Sequence, residues 1–468
     1  MKSLGRFLHR HIIYPAIVGL RGEHGVFAHL RDLETKQWLS TEELAAQQSA
    51  ALAETLRDAG RYVPYYRRAW GGESVDVSAA AARAALAALP FLTKRDLQEA
   101  ADELVSERRP RRVTCKTTGG STGQAVTLLK DRDATAREMA ASWLGYGWFG
   151  VQIGDRAVRF WGQPFTRQRR LRFAAADFAM HRIRFSAFAF DRADLRAYWQ
   201  RCLRFRPDYL YGYVSMLDAF AGHLIEVGID GRQLGLKLIV ATAEVLSEPQ
   251  RARLRSAFGC PVQNEYGCGE VGPIAYECAS GALHLMSDHL LVELLGQGDR
   301  LVSPGESGEV VVTDLANRAM PLVRYRLGDF AVAGTGPCVC GRGFPTLQRI
   351  WGREYDFVET GDGRRFHGEF FMYLFEELQQ QGIGVPQFQV VQEGPADLAI
   401  AVLSPTEPSA EQLAHLRGRI ARHMGQMRIA VTRVDRLERA RSGKMAVIVN
   451  RWRTPRGFEP RPTSRGSP

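Results

Sequence analysis

The residues best suited to chemistry stand in one short stretch, Thr117-Thr118-Gly119-Gly120-Ser121-Thr122-Gly123. Glycines at three of its positions let a backbone turn tightly and bring N–H groups close to an anion, and the four hydroxyls can donate to phosphate oxygens. The stretch lacks the GK[ST] ending of a Walker P-loop, so that reading is excluded, while an ordinary Gly/Ser surface loop shares its composition. A second candidate is built on sulfur. Cys338-Val339-Cys340-Gly341 is a C-x-C-G turn that presents two thiolates to one metal, and Cys278 and His284 stand upstream on either side of a Gly-containing turn. Three sulfurs and an imidazole suit a tetrahedral structural zinc ion. The spacing is not a zinc-finger interval, and buried free thiols are the plain alternative. Cys268 has no local base that would make it a nucleophile.

Four further patterns follow in order: Tyr266-Gly267-Cys268-Gly269-Glu270 (YGxxE), Tyr325-Arg326-Leu327-Gly328-Asp329 (YRxGD), Gly352-Arg353-Glu354-Tyr355-Asp356 (GRxxD) and Ser442-Gly443-Lys444. Each is weak alone. Together with the hydroxyl-rich stretch, in this order, they resemble the ordered motifs of the acyl-adenylate-forming (AMP-binding) superfamily. Within it the chain resembles the phenylacetate–CoA ligase branch, which includes coenzyme F390 synthetase-like and capsule-associated members. That resemblance rests on Gln37-Trp38-Leu39-Ser40, Val63-Pro64-Tyr65-Tyr66, Leu210-Tyr211-Gly212-Tyr213 and Ala319-Met320-Pro321-Leu322-Val323-Arg324-Tyr325-Arg326.

The resemblance implies a two-step acid–thiol ligase, in which a carboxylate and ATP give an acyl-adenylate and CoA then displaces AMP. Thr117, Thr118, Ser121 and Thr122, with Gly119, Gly120 and Gly123, would hold the β- and γ-phosphates, and Tyr266 would stack on adenine. Glu270 would bind Mg²⁺, a hard cation that prefers carboxylate and phosphate oxygen. Asp329 would accept from both ribose hydroxyls. Glu244 would line the adenine pocket, and Arg353 would join the nucleotide site at the hinge, which lies near Arg353–Asp356. Lys444 is expected to carry the first half-reaction, with Glu270 and Thr118, by bridging two anions that otherwise repel. The acidic residue that usually follows the hinge arginine by two positions is displaced to Asp356, and Gln124 stands where a loop lysine is common. The zinc set Cys278, His284, Cys338 and Cys340 also matches this branch. An amine acceptor, nucleotidyl transfer or a catalytically inactive scaffold are the competing readings.

Such a site needs elements to position it. Ser40 with Glu43 makes a capping box ahead of Leu44, Leu52 and Leu56, which predicts a helix ending before Val63-Pro64. An Ala-rich helix is expected over Ala79–Leu89. Strands are predicted over Ala157–Trp161, Leu238–Ala241 and Pro261–Asn264, with helices over Leu195–Phe205 and Glu248–Phe258 between them. That alternation argues for α/β architecture with largely parallel pairing. The β-rich runs His289–Leu295 and Glu309–Thr313 predict a small β unit. The expected organisation is an N-terminal adenylate-forming domain over residues 1–351, a smaller mobile α+β domain over 352–451 and a disordered tail over 452–468.

Composition sets outer limits. Apolar residues at 45% and charged residues at 24% are ordinary for a globular chain. The net charge of +11 is partly local, since Arg451–Pro468 alone holds five Arg against one Glu. No basic run has the length or aromatic interleaving of a nucleic-acid motif, so no nucleic-acid partner is expected. Seven scattered cysteines point to a reducing, cytoplasmic setting rather than to disulfides. The apolar run Ile12–Leu20 is too short to span a bilayer; it reads as a packed arm or one resting on a membrane surface.

Overall fold

The computed structural model describes residues 2–72, 76–118, 126–161, 180–186, 192–353, 357–361, 365–367, 387–404, 409–437 and 446–452, with positions 174, 176–178, 371, 374, 375 and 407. The chain divides into a large unit, residues 1–118 and 126–352, and a smaller one from residue 353 onward.

The large unit is built on one ladder of eleven strands. These are β3 (Ala157–Trp161), β4 (Arg182–Ser186), β5 (Tyr209–Tyr213), β6 (Leu238–Thr242), β7 (Val262–Cys268), β8 (Gly272–Glu277), β9 (Leu283–Leu285), β10 (Leu290–Leu295), β11 (Ser307–Asp314), β12 (Tyr325–Ala333) and β13 (Thr346–Arg353). Their spatial order is β10-β11-β12-β13-β9-β8-β7-β6-β5-β3-β4. From β4 to β7 neighbours run parallel, and from β7 the pairing turns antiparallel. The α/β alternation read from the sequence is therefore present, and the β-rich segment after Asp288 forms the antiparallel end of the same ladder. A separate hairpin, β1 (Val113–Thr118) and β2 (Val126–Asp131), brackets the hydroxyl-rich stretch.

Local chemistry explains the helix boundaries. Helix Thr41–Tyr62 starts on the reciprocal Ser40–Glu43 capping box and stops where Pro64 begins the next helix. The Ala-rich helix is shorter than expected, Ala82–Ala88, because Ser78–Ala81 closes as turns instead. Helix Glu248–Phe258 matches its expected span and ends on Gly259 at φ +66. Near the N-terminus Pro15 does not break the chain; it sits at the start of helix Tyr14–Arg21, where its missing N–H is harmless.

The smaller unit carries a four-stranded sheet ordered β18-β17-β16-β19: β16 (Gln387–Gly394), β17 (Asp397–Leu403), β18 (Arg428–Val434) and β19 (Ile448–Asn450). Helix Ala410–Met424 packs Leu416, Ile420 and Met424 into a core with Val390, Ile400 and Val402. This is the expected α+β texture. Positions 453–468 of the expected tail lie outside the described residues.

One buried group makes the large unit sensitive to acid. His289, 2% exposed, lies ahead of β10, and burial pushes its pKa down to about 4, with Lys130 adding to the effect and Asp288 and Asp314 opposing it. The unfolded chain binds a proton on this residue below about 6.5, while the folded chain stays neutral until about 4. Stability contributed by this site therefore falls with acidification across that window, by about 1.4 kcal/mol per pH unit. Urea unfolding of wild type and His289→Gln at several pH values from 6.5 to 4.5 should give a shallower slope for the variant; equal slopes would refute the assignment.

Candidate active site

The hydroxyl-rich stretch joins β1 to β2, and Thr118 pairs with Val126 at the hairpin's end. Gly119, Gly120, Ser121, Thr122 and Gly123 lie outside the described residues, as do the side chains of Thr117 and Thr118. The stem below them is tightly held. Lys116 Nζ lies 2.5 Å from Glu138 Oε2, Lys130 pairs with the other oxygen, and Asp314 stands 3.7 Å from Lys130. A lysine as buried as Lys130 is tolerable only because two carboxylates face it, whereas Lys116 is half-buried. Burial still brings Lys130 down to about 8, against the pull of Asp314. Asp131 then caps helix Arg132–Gly147 through Ala134 N at 2.7 Å and accepts Arg318 N at 2.7 Å. Asn317 completes the clamp on Leu129 and Met320 carbonyls at 3.0 and 2.9 Å.

The YGxxE motif folds onto the same helix. A side chain at Gly267 would meet Gly272 O at 2.6 Å, and one at Gly272, where φ is +81, would meet the Glu138 carboxylate at 2.5 Å. Both positions need glycine for the turn that carries Glu270 to lie against the residue holding the loop stem. Glu270 itself is half-exposed. Four residues earlier, in β7, Tyr266 is 8% exposed, and its hydroxyl donates to Asp329 Oδ2 at 2.8 Å. Asp329 follows Gly328, whose φ of +70 favours glycine. The loop stem, the Glu270 turn and the Tyr266–Asp329 pair are thus brought together from segments up to two hundred residues apart in sequence.

Glu244 is held by a helix start. Its carboxylate accepts Ser215 N at 2.6 Å and Ser215 Oγ at 3.0 Å, satisfying the first turn of helix Val214–Glu226. Arg353 ends β13, and its side chain lies outside the described residues, as do Glu354, Tyr355, Asp356, Ser442, Gly443 and Lys444.

The sulfur cluster assembles as its spacing alone could not guarantee. Cys278 at the end of β8, His284 on β9, and Cys338 and Cys340 between β12 and β13 place their ligand atoms within 4.8 Å of one another. Cys278 Sγ and Cys338 Sγ are 3.7 Å apart, and Cys340 Sγ lies 3.2 Å from His284 Nε2. His284 Nδ1 lies 3.2 Å from the Phe344 carbonyl, an arrangement that places the ring proton there and leaves Nε2 as a donor to metal. Burial raises Cys278, yet hydrogen bonds with His284 and Ser280 outweigh it and hold the thiol near 5. Cys268, by contrast, is raised by burial and is inert.

A further polar group went unread in the sequence. Register places Arg159 beside Tyr211, and Tyr213 beside Thr242, which is beside Glu265, across β3, β5, β6 and β7. Glu265 accepts from Tyr146 at 2.8 Å, Tyr211 at 2.9 Å and Thr242 at 3.1 Å. The Arg159 guanidinium lies 4.3 Å over Tyr211 and 5.2 Å from Trp161, and its buried Nε has no hydrogen-bond partner among the described residues. The available signal was a charged residue inside the buried run Val262–Tyr266.

No family model matches the chain. Among curated proteins it is 25% identical to Protein CapK of Staphylococcus aureus over 277 residues, 58% of this chain and 60% of that protein's length. It is 28% identical to the phenylacetate-coenzyme A ligase of Aromatoleum evansii over 64% of this chain and 68% of that one, and 26% identical to the Thermus thermophilus enzyme of that name over 70% and 73%. Its fold is that of 2-hydroxyisobutyryl-CoA ligase in the postadenylation state, with a TM-score of 0.71, 18% identity and coverage of 89% of this chain and 91% of that one. With its motifs in order and their described parts converging, the chain is similar in sequence to the phenylacetate–coenzyme A ligases and shares the fold of an acyl-CoA ligase.

Proposed function

We propose that the protein is an AMP-forming acid–thiol ligase that activates a carboxylic acid with ATP and transfers the acyl group to CoA. The observation that carries this is the convergence of the loop stem, the Glu270 turn and the Tyr266–Asp329 pair on one end of the sheet. In this reading Thr117 to Gly123 cradle the phosphates, Glu270 supplies a Mg²⁺ ligand, and Asp329 accepts from the ribose hydroxyls. The bond from Tyr266 fixes the orientation of that aspartate while the tyrosine packs against the adenine. The Ser215 contacts make Glu244 a fixed wall of the pocket and spend its hydrogen bonds on the helix. Cys278, His284, Cys338 and Cys340 hold a structural zinc ion: tetrahedral Zn–S bonds near 2.3 Å separate two sulfurs by about 3.8 Å, which the Cys278–Cys338 spacing fits. Seven unpaired cysteines suit a reducing cytoplasm.

The acid site is assigned to the face bearing Arg159, Trp161, Tyr211 and Tyr213, toward the carboxyl ends of parallel strands, where α/β sheets bind ligands. Aromatic rings there suit an aromatic or otherwise flat acid. A guanidinium without a carboxylate partner among the described residues suits an anionic substituent on it.

Incubation with ATP, Mg²⁺ and a panel of acids should release pyrophosphate in an acid-dependent manner, and CoA should then yield a thioester. Release without thioester would favour an amine acceptor or nucleotidyl transfer, and no release with any acid would leave a scaffold. Within the panel, Arg159→Met should lower kcat/KM for acids with a second carboxylate by about tenfold or more, while sparing their unsubstituted analogues. Uniform loss across the panel would remove Arg159 from acid recognition.

A further inference from the structure

Residues 2–21 form an arm that the proposed reaction leaves unused. It runs as helix Lys2–Leu8, a π turn His9–Ile13 and helix Tyr14–Arg21, closed by Gly22 at φ +73. Two rows of side chains run along it at intervals of four. Arg6, Arg10, Tyr14 and Val18 face the protein. Arg6 pairs with Asp208, Arg10 Nη1 donates to Gln152 at 2.6 Å, and Tyr14 and Val18 are buried. The row offset by two residues, Leu4, Leu8, Ile12, Ala16 and Leu20, is turned by about 200° and faces outward. Leu4, Leu8, Ile12 and Leu20 are 63%, 39%, 56% and 86% exposed. Phe7 is exposed too, as is Phe178, which lies edge-on to His9 at 6.2 Å between ring centroids.

The π turn matters here. In a straight α-helix a row at intervals of four drifts by about 40° per step and would wind round to the protein side. The wider i→i+5 turn at His9–Ile13 takes up part of that drift. Both rows therefore keep their faces: one docked, one bare.

Charge decides what the bare row meets. Residues 1–22 contain Lys2, Arg6, Arg10 and Arg21 and no Asp or Glu, in a chain of net charge +11. Pairing with a second copy would set like charge against like charge, whereas an anionic bilayer is complementary. No described helix is long and apolar enough to cross a membrane. An exposed apolar row on an arm that carries bases and no acids is instead the arrangement of a helix lying in the plane of an interface.

We propose that this arm docks the protein on an anionic phospholipid surface, with Leu4, Leu8, Ile12 and Leu20 entering the boundary between headgroups and acyl chains. The full chain should sediment with phosphatidylcholine vesicles that contain phosphatidylglycerol, remain in solution with phosphatidylcholine alone, and bind less as salt rises. Leu8→Glu with Ile12→Glu should reduce the bound fraction about tenfold or more, and Leu4→Glu with Leu20→Glu should act likewise. Both pairs should leave the thermal midpoint and acid-dependent pyrophosphate release unchanged. The proposal is overturned if wild type stays in solution with the anionic vesicles, or if both double variants bind as wild type does. It is equally overturned if light scattering shows a dimer that these substitutions dissociate, since the row would then serve a second copy.

Discussion

Lys444→Ala should lower acid-dependent pyrophosphate release on the order of 10²–10³-fold while leaving transfer from a supplied acyl-adenylate to CoA nearly intact. The first half-reaction brings a carboxylate against the α-phosphate, so two anions approach and charge builds on the transferring group. An ammonium that touches both oxygens offsets that repulsion most where the charge is greatest, in the transition state. The second half-reaction starts from a neutral acyl group and a thiol, and has no such need. The described lysines of the loop stem are poor substitutes, because Lys116 and Lys130 are both committed to Glu138. Assaying the two half-reactions separately gives the decision. Equal loss in both would make Lys444 a structural residue, and no loss in either would assign the cation elsewhere. Lys444→Arg should retain part of the first step, since it keeps the charge but changes its shape.

The legible parts of this protein are those where one residue type has one physical task. Ser40 and Glu43 announced a helix start, and Gly259 closes a helix that the sequence bounds correctly. Gly267, Gly272 and Gly328 sit where any side chain would collide or strain the backbone, which is why the short patterns around them survive as patterns. Cys278, His284, Cys338 and Cys340 could be grouped by chemistry before any distance was known, but only strand pairing between β9 and β13 brings the two halves together. Arg159 and Glu265 were illegible for the complementary reason. Their meaning depends on register across four strands, and a single buried charge in an apolar run does not say what faces it. The bonds that Glu244 accepts from Ser215 at the neighbouring helix start were equally unreadable, because they join residues 29 positions apart.

Loss of the proposed zinc ion should strongly destabilise the large unit. The four ligand residues join the β8–β9 hairpin to the connection between β12 and β13, two segments about sixty residues apart that also pair at Thr346–His284 and Leu347–Leu283. Around them Arg342 stacks on Trp148 at 4.5 Å and Trp38 at 5.2 Å, and donates to Gln37 at 2.9 Å. The cluster therefore also seats helix Val26–Lys36 and its following turn. Metal ligation adds directly to folding free energy, so removing it should cost more than about 4 kcal/mol. For a unit as large as residues 1–118 and 126–352, with an unfolding entropy of about 2.1 cal/mol/K per residue, that lowers the thermal midpoint by about 5–6 °C or more. Elemental analysis should find about one zinc per chain in wild type and none in Cys278→Ser with Cys340→Ser. Strong chelation of wild type should reproduce the thermal shift, and added zinc should reverse it in wild type only. The Tyr266–Asp329 pair contains none of the four ligands, so residual nucleotide binding below the new midpoint should persist. If wild type carries no zinc, or if chelation leaves its midpoint unmoved, the four residues are simply packed thiols beside a histidine.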